Sequence, residues 1–110
     1  METRVAREER RRPRLSVSYD ASQVRVGQVL RVNTHNSAYY FVFNEERRIN
    51  RDEIVGVSVT TTNKAIAAGN PNSVRVDRTI RQGESLRFGT GRGTTTSPVV
   101  SVFVGDTQVV

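Results

Sequence analysis

The side chains best suited to chemistry are guanidinium groups concentrated at the N-terminus. The first fourteen positions hold six arginines against three glutamates, and Arg10–Arg14 alone offers four guanidinium groups. A guanidinium grips phosphate with two hydrogen bonds. If these arginines neutralised four to six phosphates of duplex DNA, the affinity of the protein for the DNA would fall with salt at a log–log slope of about −4 to −5. We therefore predict a basic arm over residues 1–14, whose anion-binding residues are Arg4, Arg7, Arg10, Arg11, Arg12 and Arg14.

Two other interpretations of this arm remain open. Mixed-charge tails also reach across to neighbouring subunits in assemblies such as virions, or they simply stay solvated. Sixteen of the seventeen basic residues are arginine, which reflects either a need for guanidinium groups or codon bias. Residues 2–12 are too few for an isolated helix to persist in water, and Pro13 would end one. We expect an arm that orders only against a partner.

A second candidate anion site lies in the stretch Gly89–Ser97, which contains three glycines and several hydroxyl groups around Arg92. Closely spaced glycines let backbone N–H groups approach an anion, and Arg92 would complete a phosphate cradle. No lysine follows as in a P-loop, and a strand comes next, so no helix N-terminus adds its dipole. A flexible hairpin tip is the competing interpretation.

The sequence contains few residues or motifs suited to catalysis or to metal binding. His35 is the single histidine, in a polar turn beside Ser37, and no GxSxG motif or cysteine is present. The acidic pairs Glu45–Glu46 and Asp52–Glu53 alternate with arginines, which is typical of a solvated, self-neutralising loop rather than a cation site. We expect a protein that is not an enzyme, with no metal site and no cofactor.

The elements that position these residues alternate with period two, which predicts β-strands. We predict an all-β fold, a small barrel or sandwich of about seven short, mostly antiparallel strands spanning residues 15–110. Glu45–Glu53 and Asn63–Asn72 are predicted to be loops. The predicted core consists of Val26, Leu30, Val32, Val57, Val74, Val76, Leu86, Phe88, Val100 and Val102.

The run Ala38–Phe43 is apolar on both faces, which predicts a central strand. It contains the aromatic residues Tyr39, Tyr40 and Phe41. Aromatic rings are the groups on which nucleic acid bases stack. At least half of these rings must face the core of a sheet.

Two nine-residue segments resemble each other, because Val24–Val32 aligns with Ile80–Phe88 at four identical positions. A duplicated half-barrel would place Arg25, Arg31, Arg81 and Arg87 on related surfaces. The competing interpretation is that a glycine-containing turn leads into a strand twice, as a local solution used independently.

Two further motifs resemble a loose group of small all-β proteins without an established activity. Leu30–Tyr39 matches an LRxxTxNSxY hairpin, and Thr94–Val102 contains a TSPVxSV strand. The resemblance implies an all-β barrel and carries over no catalytic or binding residue.

The expected function is that of a non-enzymatic binding module that engages an anionic partner, nucleic acid, through its arm. The alternative is a structural or decoration subunit of a larger assembly. No apolar run approaches the ~20 residues that cross a bilayer, so we expect no membrane contact. A cytoplasmic location is expected, or the virion under the alternative, and the oligomeric state is left open.

Overall fold

The described part of the chain consists mainly of β-strands. The computed structural model describes residues 15–62, 64–65 and 73–110. The strands are β1 (Ser18–Asp20), β2 (Val29–Thr34), β3 (Ala38–Ile49), β4 (Glu53–Thr61), β5 (Lys64–Ala65), β6 (Arg75–Asp77), β7 (Thr79–Arg81), β8 (Ser85–Gly89), β9 (Thr94–Val104) and β10 (Thr107–Gln108). A single turn of 3-10 helix, Ala21–Gln23, follows β1. The predicted all-β class is confirmed, although β3, β4 and β9 are longer than the short strands expected.

The strands form one large sheet and one small one. The large sheet has the order β10-β9-β2-β3-β4-β6-β8, with β5 added beside β4, and β8 pairs in addition with β9. The path of paired strands therefore returns to β9 after passing through β2, β3, β4, β6 and β8. Strands β1 and β7 form the small sheet. All these strand pairings are antiparallel.

The buried side chains of the described strands form one core. Eight of the ten predicted core residues are buried, and Phe41, Phe43, Ile54 and Ile80 join them. The ring of Phe88 lies at the centre of an aromatic cluster. Its centroid is 5.5 Å from that of Phe41 in an edge-on arrangement and 5.3 Å from that of Tyr39.

Two core predictions are wrong: Val26 is 41% exposed and Val100 is 43% exposed. Val26 lies in the turn that precedes β2, where no neighbouring strand covers it. Val100 lies at an irregularity in the pairing of β2 with β9, because Asn33 pairs with Ser101 while Thr34 pairs with Val99. Val100 is the extra residue that has no partner in β2, and it shifts the alternation of buried and exposed side chains by one position. Val99 therefore takes the buried position instead.

The prediction of a charged loop at Glu45–Glu53 is also wrong, because β3 continues to Ile49 and β4 already begins at Glu53. The ladder is irregular there: Phe43 pairs with Val57, and the next pair is Arg48 with Val55. The guanidinium of Arg47 lies 5.3 Å from the Phe43 ring centroid and donates to the Val24 carbonyl. Antiparallel pairing persists without an apolar pattern here, since exposed strand faces accept charged side chains.

The two similar nine-residue segments contain the same turn. The amide of Gln28 donates to the Arg25 carbonyl at 3.0 Å, and that of Glu84 to the Arg81 carbonyl at 3.2 Å. Gly27 and Gly83 both have positive φ, at 87° and 83°, which glycine adopts without strain. The arginines that follow lie in different surroundings. Arg31 is half-buried, whereas the side chain of Arg87 is 76% exposed.

An ion pair joins the small sheet to the turns around it. Arg78 donates from Nε and Nη2 to the two carboxylate oxygens of Asp20, both at 3.1 Å, and from Nη1 to the Asn50 carbonyl at 3.2 Å. Asp20 also accepts from the Ser22 amide, at 2.9 Å, at the start of the 3-10 turn. The hydrogen bonds from Arg78 lower the pKa of Asp20 from 3.8 to about 2.

We expect Asp20→Asn to lower the free energy of unfolding by about 1 kcal/mol at neutral pH. The pKa shift alone would imply more, but the Asp20 side chain is 37% exposed and solvent screens the pair. Because the folded pKa is the lower one, the contribution is complete above pH 4 and disappears as the pH falls towards 2. Denaturant unfolding at neutral and acid pH measures this, and the two proteins should converge in acid.

Asp106→Asn is the matched control, because Asp106 is exposed and forms no ion pair within the part of the chain that the structure describes. A loss for Asp20→Asn that matched the control, or that stayed constant with pH, would contradict the assignment.

Candidate nucleic-acid interface

The sequence-predicted site residues fall into two groups. The six arm arginines lie outside the described residues. Arg92 is described, and it is exposed in the turn between β8 and β9. This turn is shorter than predicted, because β9 begins at Thr94. The Gly93 amide closes it by donating to the Thr90 carbonyl at 2.8 Å.

The hydroxyl groups expected to complete a phosphate cradle around Arg92 are partly engaged elsewhere. Thr94 and Thr95 pair in register with Phe88 and Arg87 of β8. Thr96 is buried, and its Oγ1 accepts from the Leu86 amide at 3.0 Å. Threonine is a strand-forming residue, so the run that looked like a flexible tip continues the sheet.

Arg92 lines a pocket of about 230 Å³ whose charges nearly cancel. The charged residues lining it are Asp52, Glu53, Arg75, Asp77, Arg87 and Arg92. Arg75 Nε lies 3.6 Å from Glu53 Oε2, and Arg87 Nε lies 3.9 Å from Asp77 Oδ2. Arg75 also donates to the Gly91 carbonyl. This arrangement fixes the turn and gives the pocket little net attraction for an anion.

A different surface combines a cation with aromatic rings. On the outer face of the large sheet, Arg31 of β2 pairs in register with Tyr40 of β3 on one side and Phe103 of β9 on the other. These residues alternate with the buried Leu30, Phe41 and Val102, whereas the rings themselves lie outside the core. We call Arg31, Tyr40 and Phe103 the outer triad.

The guanidinium of Arg31 is held by packing alone. Its Cζ lies 4.2 Å from the Phe103 ring centroid, a distance at which cation and ring attract each other. Arg31 Nε is buried, and no hydrogen-bond partner for it exists among the described residues. A guanidinium carries five N–H donors, and Arg31 forms no side-chain hydrogen bond within the described residues.

The surroundings of the outer triad are partly polar and partly apolar. Asn33 and Ser101 form the next pair on this face of the sheet, two residues from Arg31 and Phe103. Asn33 Nδ2 donates to Ser101 Oγ at 2.9 Å. On the other side Val29 pairs with Val42, and Val29 is 40% exposed. The face therefore offers apolar contact area beside hydrogen-bonding groups.

The first described residues of the chain lie at the edge of this same face. The Ser16 amide donates to the Val109 carbonyl at 3.1 Å, and the preceding Gln108 pairs with Phe103. With strands about 4.8 Å apart, Arg31 lies about 14 Å from the backbone of Ser16. Leu15, to which the last arm arginine is bonded, adjoins that position.

Sequence reasoning named Tyr40 and Arg31 separately and missed Phe103. The alternation of Tyr39, Tyr40 and Phe41 requires at least one ring to face outward, and Tyr40 does. Arg31 is signalled by its position between the apolar Leu30 and Val32. Phe103 becomes its neighbour only through the pairing of β2 with β9, which joins segments about 70 residues apart and leaves no local signal.

The turn around His35 is occupied by structural hydrogen bonds. The His35 amide donates to the Pro98 carbonyl and the Asn36 amide to Ser97 Oγ, each at 3.2 Å. Ser97 Oγ donates to Thr34 Oγ1 at 2.9 Å. These contacts join the two motifs that resemble the small all-β proteins, since one motif contributes β2 and the other β9. The His35 side chain itself is exposed.

Over residues 15–62, 64–65 and 73–110, no three His, Cys, Asp or Glu side chains are grouped so as to hold a metal ion. The same residues contain no helix with the length and apolar character needed to span a membrane. No protein-family model, curated protein or solved structure matches the chain.

Proposed function

We propose that this protein is a non-enzymatic binding module that engages nucleic acid through its arginine-rich arm and the sheet face beside it. The observation that carries the proposal is that Ser16, which follows the arm in the chain, lies at the edge of the face that holds the outer triad. The arginines of the arm and the Arg31 guanidinium, which packs on the Phe103 ring, would then engage one polyanion.

The charge distribution supports a polyanionic partner. Of the net charge of +6, residues 1–14 supply +3, from six arginines and three glutamates, and residues 15–110 supply the other +3, from eleven basic and eight acidic residues. Within the described part of the chain, Arg25, Arg48, Arg51 and Arg92 have no carboxylate partner within 4.0 Å. Unpaired surface cations raise the local concentration of an anionic ligand and its association rate.

We further propose that the large sheet is a small closed barrel. The pairing of β8 with β9 supports closure, because it joins strands that lie far apart in the sheet order. A closed sheet has few free edges and holds its outer face rigid, which favours binding by preformed side chains.

The test uses the full chain with all six arm arginines changed to glutamine. Each phosphate neutralised on a single strand contributes about 0.7 to the salt slope. If the arm neutralises four to six phosphates, the log–log slope should become shallower by about 3–4. Fluorescence anisotropy of a labelled oligonucleotide across a salt series measures it.

The matched control changes Glu2, Glu8 and Glu9 to glutamine, which alters the same segment in the opposite electrostatic direction. This variant should bind more tightly than the natural chain. Equal affinity and equal slope for the arginine variant and the natural chain would refute the proposed role of the arm.

A second candidate function, a subunit of an assembly such as a virion, is favoured by exposed apolar side chains at the base of the arm. Leu15 is 59% exposed and Val17 is 73% exposed, and such residues are found where protein surfaces associate. Under this function the arm contacts neighbouring subunits. Light scattering of the full chain without nucleic acid distinguishes the two, because a stable monomer at high concentration argues against assembly. We propose a cytoplasmic location for the first function and the virion for the second.

A further inference from the structure

We infer that the ligand of the outer face is a single-stranded nucleic acid, with one base stacked on Phe103, one on Tyr40, and the phosphate between them bound by Arg31. This inference rests on the proposed function and names its substrate class. It assigns the recognition of bases to the sheet, whereas the arm supplies attraction for any polyanion.

The hydrogen-bonding state of Arg31 indicates a missing partner. Its Nε is buried without a partner, and the described residues offer the guanidinium a ring but no carboxylate or carbonyl. Because Nε is buried, a phosphate would bind to the two terminal Nη groups, on which an oxygen pair fits with two parallel hydrogen bonds.

The order of groups across the sheet matches the order along a nucleotide chain. Phe103, Arg31 and Tyr40 lie on the adjacent strands β9, β2 and β3, so the backbones of Phe103 and Tyr40 are about 10 Å apart with that of Arg31 between them. The guanidinium packs against one face of the Phe103 ring, so the base would stack on the other face. In a nucleic acid strand, a phosphate likewise separates two successive bases. A strand laid across β9, β2 and β3 therefore presents base, phosphate and base to ring, cation and ring.

The aromatic rings favour a single strand over a duplex. Stacking on a side chain needs a base with a free π face, and in a duplex both faces are covered by neighbouring base pairs. A duplex would meet this sheet only through its backbone.

The experiment measures binding of the full chain to three probes: a labelled oligothymidine, a duplex of the same length, and a polyphosphate chain that has no bases. Phe103→Ala and Tyr40→Ala should each weaken oligothymidine binding by about five- to a hundredfold. Binding to the duplex and to polyphosphate should stay unchanged, since those probes present no free base.

Four further variants isolate the interaction. Phe103→Tyr and Tyr40→Phe keep the rings and should bind oligothymidine as the natural chain does. Arg31→Gln should weaken oligothymidine binding more than Arg48→Gln, which removes the same charge from an exposed strand position. Thermal unfolding of each variant verifies that the fold is retained.

The inference is overturned if the alanine variants bind oligothymidine normally, or if they lose affinity equally for all three probes. The second outcome points to non-specific electrostatic contact with the sheet. Failure of the proposed function looks different, because the natural chain would then bind none of the probes, or the arm variant would leave every affinity and salt slope unaltered.

Discussion

Replacing Phe41 by alanine is expected to lower the free energy of unfolding by about 3–5 kcal/mol. Phe41 is fully buried in β3, and its ring meets that of Phe88 edge-on, with centroids 5.5 Å apart. Removing the ring loses the stabilisation gained by burying its apolar surface. It also leaves a cavity that the surrounding side chains cannot fill. Domains of this size have about 5–15 kcal/mol of stability in total. The melting temperature should therefore fall by roughly 15 °C or more.

The neighbouring Tyr40 provides the control, because it lies on the opposite face of the same strand. Tyr40 is half-buried, so Tyr40→Ala should cost clearly less than Phe41→Ala, about 1–2 kcal/mol. Denaturant unfolding measured by circular dichroism gives both values. Similar losses at positions 40 and 41 would contradict the assigned register of β3, since one residue of slippage exchanges the two faces.

The second large effect is expected at Gly93. A Cβ atom added there would lie 2.6 Å from the Phe88 carbonyl oxygen, which is well inside van der Waals contact. The turn is held by the Gly93–Thr90 hydrogen bond and by Arg75, which donates to the Gly91 carbonyl. Relieving the clash means separating β8 from β9 at their junction. We expect Gly93→Ala to cost about 2–3 kcal/mol more than the left-handed backbone alone demands.

Gly91 in the same turn is the control that separates the cost of the Cβ clash from the cost of the left-handed backbone. Its φ of 58° is close to the 68° of Gly93, but a Cβ atom added at Gly91 would meet nothing within 4 Å. Gly91→Ala should therefore cost only about 1–2 kcal/mol, from the left-handed conformation. Chemical unfolding of the two variants side by side measures the difference, and equal losses would show that the close approach of Gly93 to β8 does not constrain the turn.

The sequence predicted local features well where the physical cause is local. The turns at Arg25–Gln28 and Arg81–Glu84 were expected from their glycines, and both contain a glycine with positive φ. The alternation of Leu30 with Val32, and of Leu86 with Phe88, identified buried faces that the structure confirms. Each feature follows from the conformational range of glycine or from the alternating geometry of a strand.

The candidate site was predicted only in part. The glycine-rich stretch indicated Arg92, which the fold places beside a pocket of nearly balanced charge. The outer triad could not be predicted, because Arg31 and Phe103 are far apart in the chain and are joined only by strand pairing. The binding role of the arm arginines stays a prediction, and the salt series on the arginine-to-glutamine variant tests it.

By itself, the sequence determined the all-β class, the principal buried positions and the concentration of positive charge in the first fourteen residues. These properties depend on residue type and short-range spacing. Only the tertiary structure decided which strands are neighbours, that Val99 rather than Val100 is buried, and that Arg31 lies between Phe103 and Tyr40. Pairing between distant strands is selected by the packing of the whole core, because many local patterns fit a sheet and only their joint burial discriminates among registers.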